Sequence, residues 1–232
     1  MDHPIVSRQE WLRARKALFD KERAMTHALD ALRAERRRLP WVRIEKPYVF
    51  DGPEGECSLG DLFGGRGQLA IYHFMLTPGS RHLCPGCSYT MDHVDAARQH
   101  FEHADLSFAA VSRAPIRRIE EARRRMGWTF PWVSSGEGDF NYDFGVSFTE
   151  ADRARPGGAP YNYGLTAVRN SPDMFGVSIF VKDEAGEVFH SYSTYHRGTE
   201  LLMGAFNWLD LTPKGRNEAG GVMDWVRLHD EY

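Results

Sequence analysis

The sequence predicts an α/β fold in which a central mixed sheet is flanked by helices and preceded by a long N-terminal helix. Three observations lead there. Two apolar runs, residues 69–76 and 106–111, each hand over to an amphipathic stretch, the strand-helix-strand-helix form of a parallel layer. Two further runs, 176–181 and 187–192, flank a turn from Asp183 to Gly186 and read as a β-hairpin. Residues 7–40 carry a helical pattern of their own.

Taken in order, Ser7 and Glu10 have capping-box spacing. Apolar residues follow at Trp11, Leu12, Leu18, Phe19, Met25, Leu29 and Leu32 before Pro40 stops the pattern. The stripe Trp11, Leu18, Met25, Leu32 steps by sevens, so it is expected to bury against the rest of the chain or a second copy. Residues 41–44 and 48–50, divided by Pro47, and then 58–63 before Gly64 and Gly65, predict an edge hairpin and a short helical turn. Residues 69–76 are apolar on both alternating faces apart from His73, as in a central strand covered on both sides. An amphipathic helix is expected from Ser88 to Phe101, and a second buried strand at 106–111. A helix carrying Ile116, Ile119, Ala122 and Met126 follows, ended by Gly127. A short strand is expected at 130–133. Residues 150–173, with Pro156, Gly157, Gly158, Pro160 and Pro172, read as an inserted loop. A final helix is expected over 199–209, with Leu202, Phe206 and Leu209 on one face. The pattern divides the chain into a helical extension (1–40), a main domain (41–212) and a C-terminal tail (213–232).

At 232 residues and 42% hydrophobic, the chain can bury a core of its own. No apolar run approaches the roughly 20 residues a membrane helix needs, and Met1-Asp-His-Pro lacks the apolar segment of a secretory signal. A cytoplasmic location is expected, with no membrane partner. Three cysteines, two of them in one motif, do not make a disulfide-stapled scaffold. Residues 8–38 hold ten Lys or Arg against five Asp or Glu, yet no aromatics interleave with them as a nucleic-acid platform needs, so they read as a solvated helix face.

The chemistry concentrates in Cys84-Pro85-Gly86-Cys87, placed between a strand and a helix. A cysteine at a helix N-cap meets free backbone N–H groups and the positive end of the helix dipole, both of which favour thiolate. Cys84 is thus the expected nucleophile and Cys87, one turn on, the resolving thiol. Pro85 suits the first helical position, where no N–H is needed. His73, on the strand feeding the motif, has the titration range of a proton shuttle but also the setting of a hydrogen-bonded core residue. Two other chemistries use the same loop. His82, Cys84, Cys87 and His93 offer the donor types of a zinc or iron site, without a second ligand pair downstream. Thr77, Ser80, Arg81, Arg113 and Arg197 offer the hydroxyls and cations of a thiol peroxidase, but no Thr stands two residues before Cys84. A non-enzymatic module binding a partner through this loop is the remaining class. Cys57 reads as a bystander and Asp143 as a local cap or ion-pair partner. His190, Tyr192, Tyr195 and Arg197 form a polar-aromatic cluster after the hairpin. No cofactor is expected. The expected partners are a protein or small-molecule disulfide or thiol, and a second copy through the N-terminal helix.

The order of elements around the motif resembles the thioredoxin fold, and Phe130-Pro-Trp-Val-Ser-Ser135 and Tyr142-Asp-Phe-Gly-Val146 resemble the later half of peroxiredoxin-type versions of it. Trp11-Leu-Arg-Ala-Arg15, Arg36-Arg-Arg-Leu-Pro-Trp41, Tyr72-His-Phe-Met75, Cys84-Pro-Gly-Cys-Ser88, Asp143-Phe-Gly-Val-Ser147 and Phe189-His-Ser-Tyr-Ser-Thr-Tyr195 together resemble a bacterial family of unknown function (domain of unknown function 899), described as predicted dithiol-disulfide oxidoreductases. The resemblance implies a thioredoxin-like fold and thiol-disulfide exchange at Cys84 and Cys87. Two positions depart from thioredoxins: Phe175-Gly176 stands where they place a cis-proline, and Pro-Gly separates the cysteines where thioredoxin has Gly-Pro.

Overall fold

The computed structural model describes residues 3–232; Met1 and Asp2, which open the segment read as lacking a secretory signal, lie outside them. The chain forms two compact units, one up to Pro40 and one from Trp41 to Tyr232. The first is a single helix, α1 (Arg8–Arg36). Its N-terminus is closed by the expected reciprocal cap: Ser7 Oγ accepts from Glu10 N–H, and the Glu10 carboxylate accepts from Ser7 N–H at 2.9 Å. Helix α1 buries none of its own residues, and the stripe Trp11, Leu18, Met25, Leu32 is exposed.

The second unit is thioredoxin-like. Its strands are β1 (Val42–Arg43), β2 (Val49–Gly52), β3 (Gly55–Ser58), β4 (Gln68–His73), β5 (Leu106–Ser112), β6 (Trp132–Ser134), β7 (Ala159–Tyr161), β8 (Thr166–Val168), β9 (Gly176–Lys182) and β10 (Val188–Tyr195). The helices are α2 (Pro85–His103), α3 (Ile116–Met126), α4 (Phe140–Asp143), α5 (Glu150–Ala154) and α6 (Gly204–Leu209). Eight strands form one sheet in the order β1-β10-β9-β4-β5-β6-β2-β3. Strands β4, β5 and β6 run parallel, whereas β9 runs antiparallel to β4, and β10 antiparallel to β9. Among the described residues no helix is long and apolar enough to cross a membrane.

The double-sided apolar pattern of β4 does what it predicts. Ala70 and Tyr72 join Phe74, Cys87, Met91, Ile119, Ala122 and Met126 in a core on one face of the sheet, under α2 and α3. Leu69 and Ile71 join Phe63, Phe140, Phe144 and Phe180 on the other. Alternate residues of a strand face opposite sides, so β4 serves both cores. Each fully buried side chain of this size contributes roughly 1.5–3 kcal/mol of transfer free energy. Helix α3 buries Ile119, Ala122 and Met126, spaced three and four apart, and ends where Gly127 turns left-handed at φ 68°.

Three expected stretches fold differently. Strands β1 and β2 do not pair with each other: β1 joins β10 at one edge of the sheet, and the edge hairpin is β2 with β3 at the other. Residues 150–173 hold structure: Thr149 and Asp152 form a capping box that starts α5, and β7 pairs with β8 in a small separate sheet. Pro156, Gly157 and Gly158 lie at the turn between α5 and β7, Pro160 lies in β7, and Pro172 follows β8. The single helix expected over 199–209 is broken. A 3-10 segment, His196–Leu202, leads to an extended Met203 (φ −103°, ψ 88°) and then to α6. The break turns Met203 inward along with Phe206 and leaves Leu202 exposed.

The register sets up the site. Strand β4 ends at His73, which pairs with Gly176 at the start of β9. Because the two strands are antiparallel, the C-terminal edge of β4 and the loop entering β9 share one end of the sheet. Phe175 therefore arrives beside the start of α2. Its neighbour Gly176 is obligatory: a Cβ there would lie 2.5 Å from the Tyr195 ring.

Candidate functional site

Cys84 is the N-cap of α2, with extended backbone angles (φ −62°, ψ 115°), and Pro85 starts the helix. The Cys87 N–H donates to Cys84 Sγ at 3.4 Å, while Ser88 donates to the Cys84 carbonyl through both its N–H (3.0 Å) and its hydroxyl (2.9 Å). The motif is thereby held in a capping turn. Both thiols are free; Cys84 is half-buried and Cys87 is 1% exposed. A hydrogen bond from the Cys87 thiol draws the Cys84 pKa down to about 7; burial opposes this, and the Cys87 and Gly86 N–H groups reinforce it. Cys87 moves upward, chiefly by burial and then through its bond and charge interaction with Cys84. The Tyr72 hydroxyl, on β4, works against this rise, acting on Cys87 as a donor that favours its thiolate.

The dithiol opens into a cavity of about 310 Å³ whose lining includes Tyr72, Met75, Phe175, Met203, Met223 and Val226 with the four motif residues. Phe175 occupies the side of the cavity supplied by the β9 loop. The C-terminal residues enter from far along the chain: Met203, Phe206 and Val226 are buried, and Phe206 packs on Tyr89 of α2 at 5.1 Å between ring centroids.

The other sequence candidates lie elsewhere. His73 is fully buried but faces away from the dithiol, stacked on Phe140 and Phe144. Its ring nitrogens meet Asn141 Oδ1 at 3.4 Å and Ser178 Oγ at 3.0 Å, and burial lowers its pKa to about 4. It is a satisfied core histidine. His82 is exposed. The backbone N–H of Ala205 donates to His93 Nε2 at 2.9 Å, while its Nδ1 lies 2.6 Å from the Tyr89 carbonyl. Neither imidazole joins the thiols: among the described residues no group of three or more His, Cys, Asp or Glu is placed to hold a metal ion.

The hydroxyls and cations of the peroxidase reading are also engaged away from the cavity. Arg113 and Thr77 bind Asp173, Arg197 binds Glu200 at 2.7 Å, and Ser80 Oγ accepts from the His82 N–H. Arg81 is exposed. Asp143 accepts from Lys46 at 2.8 Å and Tyr48 at 2.7 Å. In the cluster after the hairpin, His190 meets Ser193 Oγ at 2.8 Å and the Tyr195 hydroxyl donates to the Phe144 carbonyl at 2.9 Å. Cys57 sits on β3 at the far edge of the sheet, its pKa raised by burial and then by Asp61 and Asp51.

Residues that sequence reasoning missed are Tyr72 as a partner of Cys87 and the C-terminal wall of the cavity. Tyr72 immediately precedes His73 on a covered strand, so strand alternation alone places one of the two toward the helix and the other away from it. Nothing comparable marks Met223 or Val226.

No curated protein matches the chain. Among solved structures it is similar to peroxidoxin BcpB from Mycobacterium tuberculosis (16% identity, TM-score 0.46, 74% of this chain and 96% of that one). It is also similar to a PrxQ mutant from Xylella fastidiosa (15%, 0.43, 69% and 87%) and to the mitochondrial 2-Cys peroxiredoxin from Plasmodium falciparum (14%, 0.43, 78% and 98%). Over residues 1–232 the sequence matches the family described as bacterial protein of unknown function (DUF899), and the chain belongs to that family.

Proposed function

We propose that this member of the DUF899 family is a dithiol-disulfide oxidoreductase in which Cys84 is the nucleophile and Cys87 the resolving thiol. The observation that carries the reading is the asymmetry of the pair: Cys84 is a half-buried N-cap thiol that accepts from the Cys87 N–H, while Cys87 is 1% exposed, a setting that draws the first pKa to about 7 and raises the second. At neutral pH about half of Cys84 is thiolate while Cys87 keeps its proton. The Cys84 thiolate attacks one sulfur of a substrate disulfide, forming a mixed disulfide and expelling the other sulfur as thiolate. Cys87 then loses its proton and attacks Cys84 Sγ, closing the Cys84-Cys87 bond and releasing the second substrate thiolate. Two electrons pass from the dithiol to the substrate, and an external dithiol restores the reduced pair.

The peroxidase reading has less support, because among the described residues no cation lines the cavity to polarise a peroxide oxygen. The test is mass spectrometry of alkylated protein equilibrated across glutathione redox buffers. A two-electron transition lost in both Cys84→Ser and Cys87→Ser supports the couple; thiols that never pair overturn it.

A further inference from the structure

Resting on the oxidoreductase reading, we infer that the substrate is a small uncharged disulfide, selected by an apolar cavity that the C-terminal residues close over the motif. Three observations carry this. First, Met203, Met223 and Val226 share one cavity with both thiols, and Met223 Sδ would touch a Cβ on Gly86 at 3.4 Å. The C-terminal segment thus lies on the motif itself.

Second, that segment is a built wall. The Ala205 N–H donates to His93 on α2, and Tyr89 of α2 packs on Phe206 and Trp225. Arg216 ties Glu200 to Asp210 at 3.0 and 2.8 Å. Val226 and Leu228 are buried.

Third, among the described residues the lining has no charged side chain apart from the Cys84 thiolate; its polar side-chain groups are the two thiols and the Tyr72 hydroxyl. A carboxylate entering would lose its hydration and gain no partner. At about 310 Å³ the space lies at the lower end of the roughly 300–1,000 Å³ of small-molecule pockets. A disulfide held in a folded protein needs an open groove, and Met203, Met223 and Val226 narrow the one at this motif.

The reaction is R–S–S–R plus the Cys84-Cys87 dithiol giving two R–SH and the Cys84-Cys87 disulfide, with dithiothreitol as the external dithiol for turnover. The test compares full-length protein on diethyl disulfide, dithiodiglycolate and insulin, each rate normalised to dithiothreitol alone on the same disulfide. Diethyl disulfide is expected to be favoured at least about tenfold over each of the others. Met223→Lys, which puts a cation into the cavity, is expected to reduce the preference over dithiodiglycolate by about tenfold or more. Redox titration of the wild type separates the two failures. If the Cys84-Cys87 couple forms but dithiodiglycolate or insulin is reduced as fast as diethyl disulfide, or Met223→Lys leaves the preference unchanged, the substrate inference is overturned. If the couple does not form, the reading beneath it falls as well.

Discussion

Tyr72 on β4 and Cys87 on α2 line the same cavity, and the Tyr72 hydroxyl acts on the Cys87 thiol as a donor. A donor in that position favours the Cys87 thiolate, which is needed only at the second chemical step. Tyr72→Phe is therefore expected to prolong the mixed disulfide roughly tenfold, the worth of one hydrogen bond of about 1–1.5 kcal/mol. Quenched-flow mass spectrometry would follow it. An unchanged lifetime, or an equal slowing of Cys84 alkylation, would count against this role.

Cys84 alkylation should depend on pH in a way that sets it apart from the other cysteines. Its rate with iodoacetamide is expected to rise through a midpoint of about 7, because the folded state holds that thiol below its ordinary value of 9.0. Cys57 and Cys87 are shifted upward and should stay slow in the same window. Peptide-resolved alkylation between pH 5 and 9 reads all three; a Cys84 midpoint near that of free cysteine would refute the assignment.

Burial holds His73 neutral in the folded protein, with its pKa lowered from 6.5 to about 4. The unfolded chain takes up a proton there first as pH falls. The contribution to stability is therefore complete above pH 6.5 and is lost on the way down to about 4, amounting to roughly 3 kcal/mol. NMR of the histidine rings should show a neutral His73 at pH 5, and urea unfolding should lose free energy between pH 7 and 4.5. A His73 ring titrating near 6.5 would contradict the prediction.

Asp173 gathers Arg113 Nε at 2.7 Å, Arg113 Nη2 at 3.2 Å, Ser147 Oγ at 2.6 Å and the Thr77 hydroxyl, all at a buried point two residues before Phe175. Asp173→Asn leaves the Arg113 charge buried without its counter-charge and is expected to cost about 3–5 kcal/mol. Thermal unfolding tests it. A loss under about 1 kcal/mol would mean that water replaces the carboxylate, an outcome the burial of both side chains argues against.

Most of the sheet was legible because β4, β5 and β9 carry largely apolar runs and α2 and α3 are amphipathic. The dithiol was legible because a local rule, N-cap placement, coincides with a four-residue motif. The walls of the cavity obey no local rule. Phe175 was visible only as a departure from a familiar pattern, and its position opposite the motif depends on His73 pairing with Gly176 across two strands a hundred residues apart. Met203 was hidden inside an expected helix whose break turns it inward. Met223 and Val226 belong to a stretch with no periodicity, read as a tail. In residues 150–173 the abundance of Pro and Gly masked the capping box of Thr149 and Asp152.

The late origin of Met203, Met223 and Val226 has a consequence for synthesis. On the ribosome, the two thiols emerge more than a hundred residues before the side chains that shelter them. A nascent or prematurely terminated chain would carry the nucleophilic pair uncovered, open to adventitious cross-linking with whatever thiol chemistry surrounds it. Synthesis through Val226 thus sets the moment at which the two thiols acquire their cover.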